Sequence, residues 1–127
     1  MDSNSNSLNW FEIPVTDMPR ARHFYQVVFS IHTEQMDMPQ MQMAGFPGDA
    51  FSGKALGALV KSDMHIPSQE GVVIYLNANP DLSTVLDKVE QEGGKIVRPK
   101  TQITEEIGYM AFFIDTEGNK IGIHSQG

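Results

Sequence analysis

Glu12 and His124 are the two side chains whose types and settings suit proton chemistry. Glu12 is the one charge in the otherwise apolar stretch Asn9-Trp-Phe-Glu-Ile-Pro-Val-Thr16. A carboxyl in apolar surroundings has its pKa raised and can act as a general base. His124 lies two residues beyond Gly122, so in a strand the two share a face. Histidine titrates near neutrality, and a Glu12–His124 pair would make a proton shuttle. The plainer alternatives are a carboxylate held by a backbone N–H or by solvent, and a solvated histidine close to the end of the sequence. As a displaced metal site the pair is too small, because three or four ligands must converge on the ion. The sequence has no cysteine. That removes thiolate nucleophiles, Cys-ligated zinc and disulfides, and it fits a cytoplasmic protein.

The elements that must position these residues follow from periodicity. In the stretch around Glu12, Phe11, Ile13 and Val15 fall on one face and Trp10, Glu12 and Pro14 on the other, the alternation of a half-buried strand. Asp17 suits a helix N-cap with Pro19 in the first turn, and Ala21, Phe24, Tyr25 and Val28 form an amphipathic stripe. Ile31–Met36, Met41–Phe46 and Ala55–Lys61 then read as short strands. Residues 62–70 have no periodicity and read as a linker. The same order returns: a strand over Val72–Asn77, a helix opened by Pro80 with Leu82, Val85, Leu86 and Val89 on its stripe, and a stop at Gly93-Gly94. A short strand at Lys95–Arg98 and a hairpin, Gly108–Asp115 and Gly118–His124, complete it. Gly53-x-x-Leu56-Gly57 echoes Gly118-x-x-Ile121-Gly122. The expectation is an α+β fold of two βαβββ modules, 8–61 and 71–125, in one domain over 1–127.

Composition narrows the function. The chain is 40% hydrophobic and 20% charged, as expected for a globular protein rather than a disordered one, and no apolar run is long enough to span a bilayer. Met1–Ser7 is polar and reads as a frayed tail rather than a signal peptide. A net charge of −7, with no basic stripe, argues against nucleic acid and against an anionic membrane surface.

Asn9-Trp-Phe-Glu-Ile-Pro-Val-Thr-Asp17, Ala21-Arg-His-Phe24-Tyr25 and Asp115-Thr-Glu-Gly118-Asn119-Lys-Ile121 resemble the vicinal oxygen chelate superfamily. That superfamily includes glyoxalase I, bleomycin-resistance proteins, fosfomycin-resistance enzymes and extradiol dioxygenases. The resemblance covers about residues 8–125. It implies two modules curling into a cup, often completed in a homodimer, that holds a divalent metal and a small substrate. The metal positions it implies fall at Trp10, at Val73 give or take one residue, and at Gly57 and Gly122. None of these side chains offers a nitrogen or carboxylate lone pair to a divalent ion. The expectation is therefore a cup without metal or other cofactor.

Alternation places Trp10, Glu12, Pro14, Tyr75, Asn77, Met110, Phe112 and His124 on the cup face, with Gly57 and Gly122 opening its floor. Trp10 would line or stack on a ligand. His23 and the Glu105-Glu106 turn read as solvated, His32 and His65 lie in a strand edge and a linker, and Met36, Met38, Met41 and Met43 read as core or cup wall. Three functions compete. The first is a homodimeric glyoxalase/bleomycin-resistance-like protein binding a small, partly apolar molecule. The second is a metal-independent lyase or isomerase using Glu12 as base, and the third a scaffold with a vestigial cup. The face is poor in donors for a developing oxyanion, which favours binding.

Overall fold

The computed structural model describes residues 1–127. The first strand, β1 (Trp10–Pro14), leads into helix α1 (Met18–Phe29), followed by β2 (Glu34–Gln35), β3 (Gln42–Gly45) and β4 (Leu56–Lys61). The second series is β5 (Tyr75–Asn77), α2 (Ser83–Val89), β6 (Lys95–Thr104), β7 (Gly108–Ile114) and β8 (Lys120–Ser125). Each series builds a four-stranded sheet, ordered β1-β4-β3-β2 and β5-β8-β7-β6. The outer pairs β1/β4 and β5/β8 are parallel and the rest antiparallel. This is the expected α+β cup fold.

Helix α1 forms where the stripe said it would. The Asp17 carboxylate accepts the Arg20 N–H at 3.0 Å, and the helix ends at Ser30 in the left-handed conformation. Its face of Met18, Ala21, Phe24, Tyr25 and Val28 is buried in one core that also takes Leu82, Val85 and Val89 from around α2 and Phe113 and Ile123 from the second sheet. The helices thus bind the two halves into one apolar layer.

A turn fastens the halves further. The Asp115–Asn119 turn between β7 and β8 reaches across to β1 and α1. Asn119 Nδ2 donates to the Pro14 carbonyl at 2.7 Å, and the Tyr25 hydroxyl donates to Asp115 Oδ2 at 2.7 Å. Glu117 Oε1 accepts the backbone N–H groups of Thr16 and Asp17, each at 2.8 Å, and Arg20 Nε donates to Oε2 at 2.8 Å. Glu117 thereby satisfies donors at the start of α1 from the opposite half of the molecule.

Several elements depart from the expectations. The strand expected over Ile31–Met36 is only Glu34–Gln35, because the backbone of Thr33 is claimed by the helix: its N–H donates to Gln26 Oε1 and its carbonyl accepts from Arg22 Nη2. The strand expected over Val72–Asn77 begins at Tyr75. Helix α2 begins at Ser83, not Pro80, since Leu82 N–H is held by Ser125 Oγ and Ser83 N–H by Asp81 Oδ1. Strand β6 runs to Thr104 rather than stopping at Arg98, and its pairing with β7 is broken by register shifts. Those bulges destroy the alternation from which a strand is read.

Gly57 is a correction of substance. It pairs with Phe11 beside the Ile13–Leu59 pair, and Ile13 and Leu59 both lie in the helix-facing core. Gly57 is therefore on the helix side of its strand, not on the cup floor. A Cβ there would run into the Phe11 ring. Gly57→Ala is expected to cost about 1–3 kcal/mol by overpacking, read as a lower thermal midpoint.

Candidate functional site

The concave face is the side of each sheet turned away from the helices. On the first sheet it carries Trp10, Glu12 and Pro14, whose neighbours across β4 are Leu56, Ala58 and Val60; Met43 pairs beside Val60. Met43, Ala58 and Val60 are buried although they lie outside the main core. Met41 packs against them, whereas Met36 and Met38 are exposed.

On the second sheet Tyr75 pairs with Gly122 and Asn77 with His124, while Met110 and Phe112 face those two from β7. The Tyr75 and Phe112 rings sit 5.7 Å apart at 47°, and the Lys120 ammonium lies 5.7 Å from the Phe112 centroid. The absence of a side chain at Gly122 allows this arrangement, because a Cβ there would be 2.8 Å from the Tyr75 ring. Asn77 Oδ1 is taken by the backbone and side-chain N–H groups of Asn79, both at 2.9 Å. The two sheets meet along a seam between β1 and β5. A cavity of about 240 Å³ lies between β1, the segment preceding β5 and the start of β8, lined by Glu12, Pro14, Ile66, Val72, Ile74 and Lys120 among others.

The structure does not join Glu12 to His124. His124 Nε2–H donates to the Ile107 carbonyl at 2.6 Å, which holds that ring near the C-terminal end of β8. Glu12 instead meets His65, from the segment between β4 and β5 that read as a linker. His65 Nε2 lies 2.7 Å from Glu12 Oε1, its Nδ1 lies 2.6 Å from Ser62 Oγ, and Trp10 Nε1–H donates to Glu12 Oε2 at 3.0 Å. The hydrogen bond from His65, then that from Trp10, hold the Glu12 carboxyl below its usual range against a smaller opposing effect of burial. That is the reverse of the raised base expected from an apolar strand.

His65 was missed because its partner is 53 residues away; the only local sign is Ser62-x-x-His65, a serine able to orient the ring. His23 is likewise not merely solvated, since its Nε2 lies 3.0 Å from Glu92 Oε1.

These residues do not fit the divalent metal that the resemblance implies. Of the positions expected to ligate, Trp10 and Gly122 face the cup without a suitable lone pair, Val73 precedes β5, and Gly57 faces the helices. Glu12 and His65 are already bonded to each other, and no third His, Asp or Glu converges with them.

The profile of the Glyoxalase/Bleomycin resistance protein/Dioxygenase superfamily matches residues 7–123. A glyoxylase-like domain-containing protein of Didymella fabae is 30% identical over 117 residues, 88% of each chain. A putative glyoxylase of Mycobacterium bovis is 29% identical over 119 residues, 91% of this chain but 44% of that one, so this chain spans about half its length. Among solved structures, a glyoxalase/bleomycin resistance protein from Albidiferax ferrireducens superposes with a TM-score of 0.68 at 15% identity, covering 96% of this chain and 100% of that one. TnmS3, an antibiotic binding protein from Streptomyces sp. CB03234, gives 0.64 at 19% identity, covering 99% and 100%.

Proposed function

The chain belongs to the Glyoxalase/Bleomycin resistance protein/Dioxygenase superfamily, and from that premise we propose that it binds a small, partly apolar molecule in its cup without catalysing a reaction. The observation that carries this reading is the state of the cup face. Trp10 and Tyr75 stand 41% and 52% exposed there, while the one carboxylate among them, Glu12, is already held by two donors. Exposed aromatic surface at a concavity offers stacking and apolar contact. A carboxylate held below its usual range is a poorer base, so a lyase or isomerase role for Glu12 gains no support. The fold shared with an antibiotic binding protein is in keeping with binding.

Trp10 is the sole tryptophan and therefore a built-in reporter. Titration with small partly apolar aromatics, 2-naphthol among them, is expected to change its emission saturably at one ligand per chain. Tyr75→Ala is expected to weaken binding by about 1 kcal/mol, roughly fivefold. A flat emission across the whole panel would sink the reading. The family resemblance also supports a homodimer, and solution scattering at several concentrations is expected to give a dimer-sized particle.

A further inference from the structure

We propose that a cleft on the helix side of the seam is a second binding site, for a neutral, flat aromatic molecule with one hydrogen-bond acceptor. It encloses about 410 Å³ between β1, β5 and the C-terminal end of α1, and its walls include Leu8, Phe11, Phe29, Phe46, Tyr75 and Asn77. The volume falls in the range of small-molecule sites. The cleft shares Tyr75 and Asn77 with the rim of the cup, but its other walls lie away from the cup interior, because Phe11 points to the opposite face of β1 from Trp10 and Glu12.

The walls are built in advance. Phe46 lies 5.4 Å from Phe11 and 5.6 Å, edge-on, from the fully buried Tyr25. Tyr25 in turn stacks on Phe29 at 6.0 Å. Gly57, which leaves no side chain on this face of β4, lets the Phe11 ring lie back against the sheet and keeps it out of the cleft.

The chemistry of the lining sets the ligand class. No charged side chain lines the cleft. A phosphate, carboxylate or ammonium entering it would lose water without gaining a counter-charge. Tilted and stacked rings favour a flat aromatic body. Besides the Tyr75 hydroxyl, the polar side chain in the lining is Asn77, whose Oδ1 already accepts twice from Asn79, leaving its Nδ2–H groups without an acceptor in the protein. A ketone or similar oxygen on the ligand would fill that role.

The test uses prodan, a neutral naphthalene ketone whose emission moves to the blue in apolar surroundings. Saturable binding of one probe per chain with a blue shift is expected. Ala55→Trp, at an exposed position on the rim, is expected to weaken it at least tenfold with an unchanged circular dichroism spectrum. Asn77→Ala is expected to weaken prodan severalfold yet leave 2-ethylnaphthalene, which lacks the ketone, unaffected. No saturable binding, or full binding to a folded Ala55→Trp, would overturn the proposal. So would loss of binding in Trp10→Phe with retention in Ala55→Trp, which would place the probe in the cup. The cup reading stands or falls separately on Trp10 emission with its own panel.

Discussion

Glu117→Ala is expected to lower stability by about 3 kcal/mol, the loss typical of breaking a buried, hydrogen-bonded charge pair. The Glu117 side chain is 0% exposed and serves Thr16 N–H, Asp17 N–H and Arg20 together. Arg20 is half exposed, so water recovers part of its loss. The two backbone donors at the start of α1 are what the variant leaves without an acceptor. Urea denaturation followed by circular dichroism measures the difference, and a loss under about 1 kcal/mol would show that the turn is not a fastening between the halves.

The same residue sets an acid dependence. Arg20 and the two backbone N–H groups outweigh burial and hold the Glu117 carboxyl down at about 2, from an ordinary value of 4.5. The folded carboxyl is depressed, so its contribution is complete above about pH 4.5 and is lost as pH falls toward 2. Asp115 works in the opposite sense. Burial raises its carboxyl, so the folded state takes up that proton more readily and is favoured as pH falls. Wild type is expected to lose stability between pH 4.5 and 2, and Glu117→Gln to show a flatter curve across that window, read as thermal midpoint against pH.

Gly122→Val is expected to weaken cup binding by about 2 kcal/mol, on the order of thirtyfold. The added Cβ would meet the Tyr75 ring at 2.8 Å, and the valine methyls would stand where a ligand lies against Phe112. Tyr75 is half exposed and can swing aside, but the Ile74 carbonyl, 3.1 Å from the added Cβ, belongs to the backbone, so the thermal midpoint is expected to fall as well and affinities are compared between folded proteins. Full affinity in a folded Gly122→Val would mean that the ligand does not rest on this floor.

The contrast between what the sequence disclosed and what it hid follows from range. Alternation in Trp10–Pro14 and the stripe from Ala21 to Val28 are local, and both elements stand where the periodicity put them. The Asp115-Thr-Glu-Gly-Asn119 stretch, which carried much of the family resemblance, proves to be the fastening between the halves rather than part of the cup. Gly57 was misplaced because the echo with Gly122 is one residue out of register: Leu59 and Ile123 both face the helices, so Ala58, not Gly57, answers to Gly122. His65 and the lowered Glu12 were hidden for another reason. A contact between a strand and a segment without periodicity leaves no pattern in the sequence, and Glu12 alone in an apolar strand reads as a raised base until its partners are seen.

The central claim is a cup that recognises its ligand by apolar and aromatic contact without an ion. Its most direct test is the Trp10 emission titration run on one preparation with and without EDTA. Saturable one-to-one binding of equal affinity in both is the predicted result. Binding that disappears with EDTA and returns on adding zinc would contradict the account.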